Sequence, residues 1–363
     1  MRSLKNGLRS LALLSLLLPQ AARAGLTFNF QDPSNLQATL PGAYAGFVQA
    51  GAIWSSLLTD DVALNIELRA ANLGGSVVAQ SDVLYAEVGY LQYNIGLFAD
   101  QSSLTDVTAY NSLPFAFAIS ALMNLTTENG GSITPYLDDS SSTNNFFLLA
   151  SSANIKAALP DSLFPGLFSG LYAPGVVDSV ITFNDTLLYD YDGSDGIAPG
   201  SIDFVAVALR EIGYALGFVS GVDERDLNSP PNASAQGEDD LLATPLDLFR
   251  YSADSKALGV FDWTADARDK YFSIDGGLTG LTPFATGRTH GDKDSASLWK
   301  RTVGTPYGIM SPGTYAGQMG NVSQADLTAL DVIGWNLTPV PEPGTWALLG
   351  AGLALIVARA KRR

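Results

Sequence analysis

Both ends of this chain are apolar segments attached to basic residues, and neither reads as part of a folded core. Residues 1–24 begin with Arg2, Lys5 and Arg9, continue through an apolar run from Leu11 to Leu18, and close on Ala22-Arg23-Ala24. This is the layout of a secretory signal peptide with cleavage before Gly25. The run falls short of the roughly 20 residues that span a bilayer, which argues against an N-terminal anchor. At the other end Val340-Pro341-Glu342-Pro343-Gly344 leads into an apolar stretch from Thr345 to Ala358, closed by Arg359, Lys361, Arg362 and Arg363. A short hydrophobic helix with basic residues behind it stops in the inner membrane, its charges in the cytoplasm and the body outside. The chain therefore divides into a signal peptide (1–24), a body (25–337) and a C-terminal segment (338–363).

Of the 363 residues, 47% are hydrophobic and 15% charged, the composition of a globular protein with a sizeable core. Without the ends, residues 25–340 carry 12 basic against 35 acidic side chains, a net of −23. That field repels a phosphate backbone and argues against nucleic acid as a partner. The chain has no cysteine, which excludes disulfides, thiol nucleophiles and Cys-ligated zinc. It has one histidine, His290, so no site needing two imidazoles can be built.

Val62, Leu64, Ile66 and Leu68 alternate in the manner of a strand, and Val77 to Val83, Ala86 to Tyr90 and Val176 to Asn184 are similarly rich in strand formers. Ser102 to Leu122 and Asn145 to Leu159 are richer in Ala and Leu and are expected to be helices. The mixture implies an α+β body, sheet-rich to about residue 200 and looser afterwards. The acidic turn Asp190-Tyr-Asp192-Gly-Ser-Asp195-Gly196 suggests calcium, but it misses the EF-hand register: Ser194 stands at position five and no Glu at position twelve.

The segment from Gly200 to Phe218 holds Ser201 as an expected N-cap, Asp203 suited to the positive first turn, and Gly217 as a terminator, giving a helix over 201–217. Residues 210 and 214 lie four apart and share a face, with Glu211 beside the first. Two histidines at that spacing with the glutamate would form H-E-x-x-H, in which two imidazoles hold zinc and the carboxylate takes a proton from its water. The chain reads R-E-I-G-Y-A-L-G-F instead.

Two resemblances follow from these residues. The order Pro341-Glu342-Pro343, short apolar helix, basic cluster resembles the PEP-CTERM sorting signal of Gram-negative bacteria that make exopolysaccharide. It implies recognition by an exosortase-type enzyme, passage through the inner membrane by way of 345–358, and delivery to the cell surface or extracellular matrix. The body resembles a secreted PEP-CTERM zincin metalloprotease of metzincin type. The likeness rests on the helix with Glu211, on Gly308-Ile309-Met310-Ser311-Pro312, similar to a Met-turn over 308–312, and on Asp326 to Trp335, similar to a closing helix. It implies a zincin-like domain with Glu211 at the general-base position, and Gly217 and Met310 in structural roles.

The metal-ligand positions implied by that resemblance hold Arg210, Tyr214 and, in Ala296-Ser297-Leu298-Trp299-Lys300, Leu298. Arginine has no lone pair to offer, leucine none at all, and tyrosine would be alone where zinc needs three or four ligands. Without zinc, Glu211 would act on bulk water of pKa about 15.7 rather than bound water near 7, roughly eight orders in hydroxide availability. No zinc is therefore expected, and calcium only at the acidic turn. His290 in its polar loop makes an incomplete rescue, and Ser220 and Ser311 lack a Gly-x-Ser-x-Gly frame. The expected function is that of an exported pseudoprotease binding a polypeptide or glycan. An active metallopeptidase with an unusual ligand set and a structural matrix protein are the alternatives.

The paired terminal signals predict a mature protein that begins near Gly25 and lacks the residues beyond Pro343. Intact mass of protein recovered from the native envelope checks this, and residues 345–363 still attached to the surface form would contradict it.

Overall fold

A computed structural model describes residues 25–339 apart from 76, 314 and 315, together with Arg359. The signal peptide, the Pro341-Glu342-Pro343 motif and the apolar segment 345–358 lie outside the described residues. The main sheet contains β1 (Thr27–Gln31), β2 (Ala63–Ala71), β3 (Ala79–Val83) and β4 (Ser179–Asn184), in the spatial order β1-β2-β4-β3. β1, β2 and β4 run parallel, and β3 pairs antiparallel with β4. The alternation along β2 is physical: Leu64, Ile66 and Leu68 are all fully buried.

Two helices lie against this sheet: α1 (Pro41–Leu57), which has proline in its first turn, and the helix at 204–215 described below. α2 (Tyr90–Asp100), α3 (Leu104–Ser112) and α4 (Ser152–Ala158) follow in the chain. α5 (Phe204–Ala215) packs on α1 and β3, α6 (Val222–Leu227) comes just after it, and α7 (Gln324–Val332) closes the body. Beyond the main sheet the strands are short, in sheets of two or three. The result is α+β, with one cluster of buried apolar residues from Leu26 to Trp335.

Several expectations need correction. Asn145 to Leu159 is not one helix: Phe147–Ser151 forms a strand antiparallel to Tyr85–Gly89, and only Ser152–Ala158 is a full helical turn or more. Cross-strand pairing outweighs the Ala and Leu content there. Ser102 to Leu122 is helical only over Leu104–Ser112, stopping before Pro114, and ends in a strand that starts at Ala121. α5 starts later than expected, because Asp203 rather than Ser201 is the N-cap: its Oδ1 accepts from Ala206 N at 3.0 Å. Gly217 does follow the helix end, with φ +103°, and a Cβ there would lie 2.6 Å from Asn154 Oδ1.

Buried ionic groups join the layers. Lys156 Nζ on α4 meets Asp178 Oδ1 at 2.6 Å, and the same carboxylate accepts from Ser152 Oγ and Asn65 N. Where α2, α3 and α7 meet, Asn336 Nδ2 donates to Asp60 Oδ1 at 3.1 Å and Asp100 Oδ1 at 2.7 Å, and Ser103 Oγ donates to Asp331 Oδ2 at 3.0 Å. Burial, and then the charge of Asp60, pushes Asp100 up to about 8. Burial and the nearby Asp106 push Asp331 up to about 7, and burial raises Asp60.

The sign of the resulting pH dependence follows from linkage. These carboxyls bind protons more tightly folded than unfolded, so the stability they contribute is full below the unfolded value of about 4 and is lost as pH rises through about 7–8. The thermal midpoint is therefore expected to fall between pH 5 and pH 9, and to fall less in Asp100→Asn. Scanning calorimetry across that range checks it; an Asp100→Asn profile parallel to the parent's would contradict it.

Candidate functional site

α5 is fixed before any of its polar face is considered. Its first residue, Phe204, sits among aromatic rings, 5.3 Å from Phe47, 5.1 Å from Phe183 and 5.2 Å from Tyr189 between centroids. Gly46 on α1 permits this approach, since a Cβ there would lie 2.5 Å from the Phe204 ring. Asp203 ties the helix start to Gly320 N at 3.0 Å, Trp54 Nε1 donates to Leu209 O at 3.0 Å, and Trp335 Nε1 donates to Leu216 O at 2.8 Å. The helix is held along its length.

On this helix Glu211 is 2% exposed. Its Oε2 accepts from Ser81 Oγ on β3 at 2.8 Å, and the same hydroxyl lies 3.1 Å from the Glu211 carbonyl oxygen. Arg210 Nε is 3.9 Å from Glu211 Oε1, while its Nη1 donates to Gly313 O at 2.7 Å. Burial raises the Glu211 carboxyl above its ordinary range, with Arg210 and the Ser81 hydrogen bond acting against that rise. Tyr214 is half-buried, and burial likewise raises its phenol, opposed by Arg210.

Two further segments converge on α5. Met310, fully buried, packs its thioether under the helix at Gly213, where a Cβ would lie 2.7 Å from Met310 Sδ. The turn carrying it is closed by Ser311 N donating to Gly308 O and is pinned by Asp326 on α7, which accepts from Ile309 N at 2.8 Å and Met310 N at 3.2 Å. Asp326 also accepts from Trp299 Nε1 at 2.8 Å, and the Trp299 ring stands edge-on to Phe218 at 5.0 Å. Asp223 on α6 fixes the neighbouring segment, accepting from Ala296 N, Ser297 N and Ser297 Oγ. Leu298 is thereby held between Ser295 and Ala285 by its backbone, its side chain buried.

The remaining candidates lie elsewhere in the bonding pattern. His290 Nδ1 is 2.9 Å from Asp226 Oδ1 and Nε2 is 2.6 Å from Pro230 O, so both ring nitrogens already face acceptors. Ser220 Oγ donates to Asp247 Oδ1 and Ser311 Oγ accepts from Gly308 N, so neither hydroxyl is paired with His290. At the acidic turn, Asp190 accepts from Asp192 N and Ala198 N, and Asp192 from Ser194 N: these carboxylates bond their own loop.

Sequence reasoning missed Ser81, Asp223 and the linking role of Asp326. Ser81 carries no local signal, lying 130 positions from Glu211. Asp326 does have one: Ser323-x-x-Asp326 is a capping box, with Ser323 Oγ accepting from Asp326 N.

Comparison with known proteins reaches only the C-terminal segment. Residues 339–363 carry the PEP-CTERM protein-sorting motif. This motif is recognised by an exosortase-type processing enzyme and marks the chain for export to the cell surface of a Gram-negative bacterium. No curated protein and no solved structure matches the chain.

Proposed function

We propose that residues 25–337 form one exported domain, zincin-like in fold, that works at the cell surface or in its matrix as a non-catalytic binding protein. The observation that carries this reading is the state of Glu211. A general base must reach the water or proton it acts on. This carboxyl is buried, accepts a hydrogen bond from Ser81, and has Arg210 at its other oxygen. It acts as a strut between α5 and β3.

The residues do not fit the zinc that a metalloprotease resemblance would bring. At the first ligand position the Arg210 guanidinium has no lone pair and donates to Gly313 O. Leu298 offers none, and His290 is bonded to Asp226 and Pro230. Among the described residues no group of three or more His, Cys, Asp or Glu side chains is placed to hold a metal ion. The convergence of α5, the Leu298 segment and the Met310 turn supports a retained scaffold, and its surface is proposed to bind a polypeptide or glycan.

Purified protein dialysed after exposure to zinc is expected to hold less than one zinc per chain and to leave unfolded protein substrates uncut. Metal analysis and a proteolysis assay check this. One tightly held zinc per chain with chelator-sensitive cleavage would establish a metallopeptidase with an unusual ligand set instead.

A further inference from the structure

From Val88 to Thr127 the only charged residues are Asp100 and Asp106, in a chain with 36 acidic side chains. Both are engaged: Asp106 is buried and accepts from the Ser102 and Ser103 backbone at the start of α3, and Asp100 accepts from Asn336. What the stretch turns outward is uncharged and rich in large apolar side chains, with Ser102, Thr108 and Asn111 among them. Phe98 is 60% exposed, Leu104 86%, Phe115 71% and Phe117 75%. Leu104, Val107 and Tyr110 are three apart along α3 and form one ridge. The Tyr110 ring lies 5.3 Å from that of Phe98, and Ile95, Phe98, Tyr110 and Phe115 line a groove of about 360 Å³. A patch of this kind marks contact with protein or membrane.

The chain leaves the body beside this patch. Asn336 is bonded to Asp100, two residues beyond Phe98 on α2, and Thr338 N donates to Leu57 O at 2.8 Å. Nine positions separate Asn336 from Thr345, where the apolar C-terminal run begins, a reach of at most about 30 Å. Whatever receives that run therefore lies within about that distance of Asn336, which is bonded beside the patch.

We propose that Phe98, Leu104, Phe115 and Phe117 form a face that rests on the outer surface of the inner membrane while residues 345–358 are inserted in it. The proposal rests on the reading that this run enters the membrane. A bilayer is favoured over a second copy of the chain because the tether holds the patch near lipid at high effective concentration, whereas no comparable link holds a second copy. Charge is compatible with this: the strongly acidic body is repelled by anionic headgroups, and Phe98, Leu104, Phe115 and Phe117 bring no charge of their own to that contact. Two weak apolar contacts on one tether anchor the body in a fixed orientation, with the stretch before Pro341 held beside the membrane. Once that stretch is cut, the patch alone binds weakly and the body leaves.

The absence of cysteine makes the test direct. Single variants Phe98→Cys, Phe115→Cys and Phe117→Cys, with Leu188→Cys and Val303→Cys as exposed controls, are labelled with a small fluorophore in the full chain. Each is mixed with vesicles of phosphatidylethanolamine and phosphatidylglycerol carrying a quencher near the headgroups, and association is read by flotation. Labels at 98, 115 and 117 are expected to lose about half their emission, since an interfacial apolar face sits about 5–10 Å deep, and the controls none. A chain that floats with all five labels unquenched would overturn the membrane face and leave insertion standing. A chain that does not float would overturn both. Shielding of positions 98, 115 and 117 that follows protein concentration without lipid quenching would assign the face to a second copy and overturn the proposal.

Discussion

A carboxyl group placed in an apolar core must be given partners or lose its charge, and Glu211 imposes that requirement on the centre of this molecule. The answer is local and asymmetric. Ser81 reaches it from the edge strand β3, Arg210 stands beside it on its own helix, and burial still raises its proton affinity. The group therefore fastens α5 to the antiparallel edge of the sheet. The rest of the helix is fastened to match, by Asp203 at its start, Trp54 along its flank and Trp335 beyond its end.

The second buried acid that organises the body is Asp326. Its carboxylate gathers two backbone N–H groups of the Met310 turn, the Trp299 indole and the backbone at Ser323. It therefore links the closing helix, the turn beneath α5 and the segment bearing Leu298. Backbone donors at a buried carboxylate serve to fix geometry, since each would otherwise be an unsatisfied polar group. The packing around α5 is thus maintained by the hydrogen bonds that Asp326 accepts from the Met310 turn and from Trp299.

What was legible in the sequence follows from the range of the forces involved. The alternation in β2 and the terminator at Gly217 are local, and both hold in the structure. Phe147–Ser151 was not legible as a strand because its partner, Tyr85–Gly89, lies some sixty residues away and shares no local pattern with it. Asp203 displaced Ser201 as N-cap because tertiary contact with Gly320 selects it. At the site, the placing of Arg210 and Tyr214 four apart on one helix face beside Glu211 could be read directly. The burial of Glu211 and its bond to Ser81 could not, because they depend on β3 crossing the helix.

The most direct measurement is a double-mutant cycle by chemical denaturation on Ser81→Ala, Glu211→Met and the pair. If Glu211 is a structural strut, the two substitutions are coupled by about 1.5–3 kcal/mol, the scale of a hydrogen bond to a charged group. Losses that add within about 0.5 kcal/mol, as for independent sites, would mean that Glu211 does not hold α5 to β3, and would contradict the account.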